Sequence, residues 1–190
     1  MKEKLKMNVF VIGGTGLVGS YLLPELVLKK YKVYALTRSE AKNRKLQTIG
    51  CRGIPGDIRN PEGFKSFLPE KVDIIILLAM PGIRPGRKVT AKRKKELSCE
   101  TNDFFKNSMD LAVQYDVPVI LPSGTSYATA GDEMADETWP ILRKGITEIG
   151  RDTDGMVNTA IQTGKPGIIQ LIYGKIYGNY IGGAGNGIRL

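Results

Sequence analysis

The sequence predicts an α/β protein: a doubly wound parallel sheet of about six strands with helices on both faces. Three observations predict it. Short apolar runs alternate with helical patterns along the whole chain, and the connections between the runs are too long for hairpins. The run Val72 to Leu78 (VDIIILL) is apolar on both faces, as a strand covered by helices on each side must be. The first strand runs straight into a glycine-rich turn that opens a helix.

Taken in order, Met7 to Ile12 (MNVFVI) reads as a buried strand ending in glycines. Leu17 to Lys30 reads as a helix, with Val18, Leu22 and Leu26 at helical spacing and Pro24 expected to bend it. Lys32 to Leu36 is a second strand, Ser39 to Thr48 a polar helix, and Cys51 to Ile54 a third strand. Asn60 to Leu68 reads as a helix capped by Asn60 with Pro61 at its first position. After the fourth strand and a Pro/Gly loop, Met80 to Gly86, a long helix carries Leu97, Thr101, Phe104, Phe105, Ser108, Leu111, Ala112 and Tyr115 on one stripe. Val117 to Leu121 is a fifth strand, Gly150 to Thr163 a weaker helix, and Gly167 to Ile172 a sixth strand. One domain over 1–190 is expected, ending in a glycine-rich tail at 174–190.

Composition narrows the chemistry. The chain has 190 residues, 42% of them hydrophobic and 25% charged, so disordered, collagen-like and coiled-coil classes are excluded. The longest apolar run, Ile74 to Met80, is strand-sized, so no membrane span is expected, and a cytoplasmic location is. Cys51 and Cys99 form no CxxC, which points to a reducing compartment and no metal site; Cys99 reads as a core thiol. There is no histidine, so Ser-His-Asp and Cys-His chemistry are excluded, and any proton must move through Tyr, Lys, Asp, Glu or Cys. The net charge of +9 favours phosphate-bearing ligands without choosing among them.

The turn Gly13-Gly14-Thr15-Gly16-Leu17-Val18-Gly19 satisfies both GxGxxG and GxxGxxG between a strand and a helix. Glycine permits the tight turn and close packing, and the helix start offers N–H groups and partial positive charge to a pyrophosphate. The end of the second strand reads Ala35-Leu36-Thr37-Arg38-Ser39, with no acid until Glu40. An acid there would accept from a ribose hydroxyl; Arg38 and Ser39 suit a 2′-phosphate instead, so NADP(H) is expected ahead of NAD(H). The plainer alternative leaves Arg38 a solvated loop cation.

These residues resemble the short-chain dehydrogenase/reductase superfamily in its extended or atypical branch, the NAD(P)-dependent epimerase/dehydratase-like proteins. The resemblance implies a Rossmann-like fold and assigns Gly13, Thr15, Gly16, Leu17, Val18 and Gly19 to the cofactor loop. It implies that Asp57 and Ile58, in Gly56-Asp57-Ile58, contact the adenine, and that Leu78 and Ala79 line the nicotinamide-side ribose. Leu121 to Ala128 (LPSGTSYA) is similar to the family's SSxxVYG segment, which puts Ser123 at the catalytic serine position and close to the cofactor. Gln170 to Gly178 resembles its LRPGxVYG stretch, with Ile172-Tyr173 where the family has Arg-Pro.

The chain departs from the family in its acid/base pair. None of the eight tyrosines is followed four residues later by lysine. By alignment of the flanking segments the Tyr-x-x-x-Lys pair falls near residues 145–153, with Ile149 and Thr153 at its two positions. Tyr127 is the alternative proton donor. The resemblance also implies a further C-terminal substrate portion, most of which this chain is expected to lack.

Two functions stay open on these grounds. One is an NADP(H)-dependent oxidoreductase or epimerase-like enzyme using Ser123 and Tyr127; the other is a non-catalytic NADP(H)-binding sensor, regulator or fragment. A small-molecule substrate is expected in the first case. No nucleic-acid partner is expected, because no aromatic residues interleave with the basic run Arg84, Arg87, Lys88 and Lys92 to Lys95, which reads as a solvated helix start. A homodimer is left open, and Asp132, Glu133, Asp136 and Glu137 read as a solvated loop.

Overall fold

The computed structural model describes residues 7–82, 89–124, 126–127, 136, 138–143 and 145–173. Strand β1 (Asn8–Ile12) leads into α1 (Leu17–Leu28), β2 (Lys32–Thr37), α2 (Glu40–Thr48) and β3 (Arg52–Pro55). The chain then crosses back to β4 (Ile74–Leu77), α3 (Ala91–Tyr115) and β5 (Val119–Gly124). A short antiparallel pair, β6 (Ser126–Tyr127) with β7 (Ile141–Leu142), precedes α4 (Arg151–Thr163) and β8 (Ile168–Tyr173).

The six main strands lie in the order β3-β2-β1-β4-β5-β8, and every pair is parallel. The order reverses between β1 and β4. Outside the carboxyl ends of the strands at such a reversal, two loops diverge and leave a crevice.

Alternation along the strands divides the core into two layers. Phe10 and Ile12 of β1 and Ile75 and Leu77 of β4 pack with Phe105 and Met109 of α3 and Val157 of α4. Val9, Val11 and Ile76 face the other way, onto Leu23 of α1 and Leu46 of α2. Over β8 this second face carries no described helix, and Ile169 and Leu171 remain 48% and 38% exposed.

The expected helix at Asn60 to Leu68 is not formed. Two single 3-10 turns, Pro61–Gly63 and Lys65–Phe67, replace it, and Asn60 makes no side-chain cap. Their bonds run three residues back, from Gly63 N to Asn60 O and from Phe67 N to Phe64 O. Gly63 weakens an α-helix here. The break also lets Phe64 bury completely, its ring centroid 5.9 Å from that of Phe10.

The fifth strand starts two residues later than expected and runs three further. Asp116 ends α3 in the left-handed region (φ 52°, ψ 48°), and Val117 N still bonds Ala112 O, so 117–118 belong to the turn. Pro122 does not stop β5. β4 pairs with it only at Val119 and Ile120, and β8 supplies the remaining ladder through Gly124. Cys51 is buried as a core residue, but Cys99 is exposed on α3, contrary to the core reading.

Candidate functional site

The first-turn amides of a helix have no partners within the helix. At α1 the cap residue, Gly16, supplies no side-chain hydrogen bond, and the first turn holds no acid. By contrast, Ser39 Oγ accepts from Lys42 N at the start of α2, and Thr90 Oγ1 accepts from Arg93 N at the start of α3. Uncapped amides at the end of a central strand are suited to an anion.

The glycines explain how this loop packs. A Cβ on Gly13, where φ is +90°, would lie 2.3 Å from Ala79 N, and one on Gly19 would lie 2.3 Å from Gly14 O. The loop is therefore pressed between α1 and the end of β4. Leu78 N and Ala79 N both donate to Ile12 O, at 2.7 and 3.0 Å, which joins the two diverging loops at the floor of the crevice.

A cavity of about 380 Å³ opens there, and it gathers half of the residues that the sequence singled out. Gly13, Thr15, Arg38, Ser39, Asp57, Ile58 and Ala79 line it. Gly16 caps α1, Leu17, Val18 and Gly19 form its first turn, and these four residues and Leu78 lie outside that lining. Ser123 lies on β5, outside that lining, and is buried.

At the far end of the cavity Asp57 is gripped by two arginines. Arg59 donates from its backbone N at 3.0 Å, from Nε at 3.1 Å to each oxygen and from Nη2 at 2.5 Å; Arg38 Nη1 stands 3.4 Å away. The side-chain hydrogen bond from Arg59 holds the Asp57 carboxyl at about 2, against a smaller upward push from burial. Asn107 Nδ2 donates to Ile58 O at 2.8 Å and fixes the segment on α3. Lys42 and Arg59 also line the cavity. The lining therefore holds three cations, Arg38, Lys42 and Arg59, and the Ser39 hydroxyl against two carboxylates, Asp57 and Glu100, the second of which is paired with Arg93. Sequence reasoning noted Lys42 among the cations that follow Arg38 but missed Arg59, for which the run Gly56-Asp57-Ile58-Arg59 carried the signal.

Ser123 has a partner that the sequence did not indicate. Arg143 Nη2 donates to Ser123 Oγ at 3.2 Å, while Arg143 Nε and Nη2 form a fork with Asp154 at 2.9 and 2.5 Å. The arginine follows directly on β7, whose pairing with β6 folds the chain back toward the end of β5. Its side chain is only 10% exposed, and its guanidinium lies over Gly150. Nothing in the spacing of Ser123, Arg143 and Asp154 would reveal this meeting.

The positions aligned with Tyr-x-x-x-Lys are both buried. Ile149 packs inside, and Thr153 Oγ1 donates to Gly150 O at 2.7 Å. Tyr127 is placed by its backbone in β6; its side chain lies outside the described residues, as do Arg84, Arg87, Lys88, Asp132, Glu133, Glu137 and the tail from 174. In the basic helix start, Arg93 pairs with Glu96 and Glu100, and Lys94 with Glu148. Among the described residues no cluster of His, Cys, Asp and Glu could hold a metal ion. No described helix is long and apolar enough to cross a membrane.

A doubly wound parallel sheet with a glycine turn at its switch point defines a Rossmann-type fold. Residues 9–137, more than half of the chain, match the NAD dependent epimerase/dehydratase family, and the chain belongs to it. The chain is 36% identical over 69 residues to the decarboxylating sterol-4-alpha-carboxylate 3-dehydrogenase of Dictyostelium discoideum, a stretch covering 36% of this chain and 21% of that protein. It is 25% identical over 182 residues to the chloroplastic epimerase family protein SDR39U1 homolog of Arabidopsis thaliana, over 90% of this chain and 49% of that one. In fold it resembles the UDP-glucose 4-epimerase of Bifidobacterium longum in complex with NAD+ and UDP (TM-score 0.71, 19% identity), covering 88% of this chain and 53% of that one. The dTDP-glucose 4,6-dehydratase of Bacillus anthracis in complex with NAD is similar at TM-score 0.68 and 17% identity, covering 87% and 54%. The chain thus spans about half the length of these solved structures and half or less of the curated relatives.

Proposed function

We propose that this chain binds NADP(H) in the crevice at the β1/β4 reversal and serves an oxidoreductase or epimerase-type reaction on a small molecule. The observation that carries the choice of cofactor is the cluster of Arg38, Ser39, Lys42 and Arg59 at one end of the cavity, where an NAD(H) site would present a free acid. Two carboxylates line the cavity, and both are engaged, Asp57 by Arg59 and Glu100 by Arg93. Arg38 Nη1 stands 3.4 Å from Asp57 with its side chain 70% exposed, so the guanidinium is open to an incoming phosphate.

The remaining residues divide the work along the crevice. The α1 amides at Leu17, Val18 and Gly19 face the diphosphate, and Asp57 and Ile58 flank the adenine. Leu78 and Ala79 bound the nicotinamide side, where the bound cofactor supplies or accepts hydride. Ser123 Oγ donates to a substrate carbonyl oxygen. A second reading, an NADP(H)-binding protein without turnover, draws on the sequence itself, since no tyrosine has a lysine four residues on. Assays with NADPH and a panel of aldehydes, ketones and nucleotide sugars separate the two, because turnover removes the second.

Arg38→Glu tests the cofactor assignment. NADPH affinity falls about 10- to 100-fold, the range a lost charge-assisted hydrogen bond supports, while NADH affinity changes little. Equal losses for the two dinucleotides would show that Arg38 does not read the phosphate.

A further inference from the structure

We infer that Arg143, braced by Asp154, is a positioning residue that fixes the Ser123 hydroxyl as a hydrogen-bond donor to the substrate's carbonyl oxygen. The inference rests on the cofactor reading above and goes beyond it, because it names the residues that orient the Ser123 hydroxyl. A hydroxyl can accept two hydrogen bonds and donate one. Arg143 Nη2 occupies an acceptor site on Ser123 Oγ at 3.2 Å, and arginine has no lone pair to take a proton in return. The hydroxyl hydrogen must therefore point elsewhere. No described residue accepts it, although Ser123 is only 6% exposed. A buried hydroxyl whose proton no described residue takes, at the carboxyl edge of a parallel sheet, is a donor open to a bound acceptor.

Asp154 makes the arrangement rigid. Its two oxygens take Nε and Nη2 of Arg143 as a fork, at 2.9 and 2.5 Å, which fixes the guanidinium plane. Gly150 leaves room for that plane: a Cβ there would stand 3.2 Å from both Cζ and Nη1 of Arg143. Donation from a cation also polarises the Ser123 O–H bond, so the serine donates more strongly than a free hydroxyl. Arg143 moves no proton itself, since a guanidinium stays charged at any working pH.

The substrate class follows from this chemistry. A neutral acceptor oxygen, a ketone or aldehyde carbonyl, fits a hydroxyl donor backed by an arginine already neutralised by Asp154. A substrate carboxylate would need a guanidinium not yet paired.

The test uses the full chain loaded with oxidised NADP, so that no turnover occurs, and carbonyl-labelled acetophenone as the probe. In the wild-type complex the carbonyl stretch of the bound ketone moves to lower frequency. Ser123→Ala abolishes the shift. Arg143→Ala reduces it, and Arg143→Lys, which keeps one cationic donor, restores part of it. With NADPH and 9,10-phenanthrenequinone, kcat falls about 10- to 100-fold in Ser123→Ala and in Arg143→Ala. The double variant falls no further, because the two residues act as one unit. Gly150→Ala displaces the guanidinium without touching the charge and lowers kcat while NADPH binding stays intact. It also reads the same contact if Arg143→Ala fails to fold.

An unshifted carbonyl in the wild-type complex overturns the inference, as do additive losses in the double variant or a full shift in folded Arg143→Ala. Failure of the wild-type chain to bind NADP at all refutes the cofactor reading instead.

Discussion

Gly19→Ala separates a glycine required by packing from one that is merely permitted. The added Cβ would lie 2.3 Å from Gly14 O and 2.5 Å from both Gly14 C and Gly14 Cα. All three are backbone atoms, so no side chain can swing aside; α1 must move off the loop by about 1 Å to reach ordinary contact. Overpacking of this kind costs about 1–3 kcal/mol, and a backbone-on-backbone clash belongs in the upper half of that range. For a chain of this size each kcal/mol moves Tm by about 2–4 °C, so about 2–3 kcal/mol predicts a loss of about 4–12 °C. NADPH affinity falls about tenfold or more, because the shift carries the first-turn amides with it. Gly155→Ala is the matched control. Gly155 lies within α4, is exposed, and a Cβ there meets nothing within 4 Å. Alanine in a helix interior gains about 0.5–1 kcal/mol, so Tm rises by about 1–4 °C with binding unchanged. Circular-dichroism melts and calorimetric titration read both variants. A Gly19→Ala protein that melts and binds like wild type would refute the packing reasoning.

Three further perturbations follow from the structure. The Asp57 carboxyl titrates at about 2 in the folded protein and at about 3.9 unfolded, so its stabilising effect is full above that upper value and is lost as pH falls through the lower one. Asp57→Asn flattens the acid limb of a stability-against-pH curve in that window, and an unchanged limb would dismiss the Arg59 pairing. Burial pushes the Cys51 thiol up to about 11, whereas Cys99 is exposed, so one thiol per chain reacts with Ellman's reagent in native protein and a second only after unfolding. Two fast thiols would contradict the burial of Cys51. Phe64→Ala empties a fully buried site against Phe10 and costs about 3–5 kcal/mol, seen as a reduced midpoint in urea; a loss below about 1 kcal/mol would refute that packing.

Much of the fold was legible because periodicity reports burial directly. The IIIL of β4 and the alternation of Val9, Phe10, Val11 and Ile12 needed no knowledge of their neighbours. Elements whose limits depend on tertiary partners were misread: β5 passes through Pro122 because β8 supports it from one side, and Phe64 turns inward because Phe10 offers a surface. The site followed the same rule. Gly13, Arg38 and Asp57 could be found from short motifs set against a strand end, and the cavity brings them together. Arg143 and Asp154 could not, since Arg143 meets Ser123 across 20 residues and Asp154 across 11, beside a small antiparallel pair that no local pattern announces.

The most direct measurement is isothermal titration of the folded chain with NADPH and, separately, with NADH. Saturable binding of both, with NADPH the tighter by about tenfold or more, is the predicted result. No heat of binding from either dinucleotide, on protein whose melt shows a cooperative fold, would contradict the assignment of the crevice.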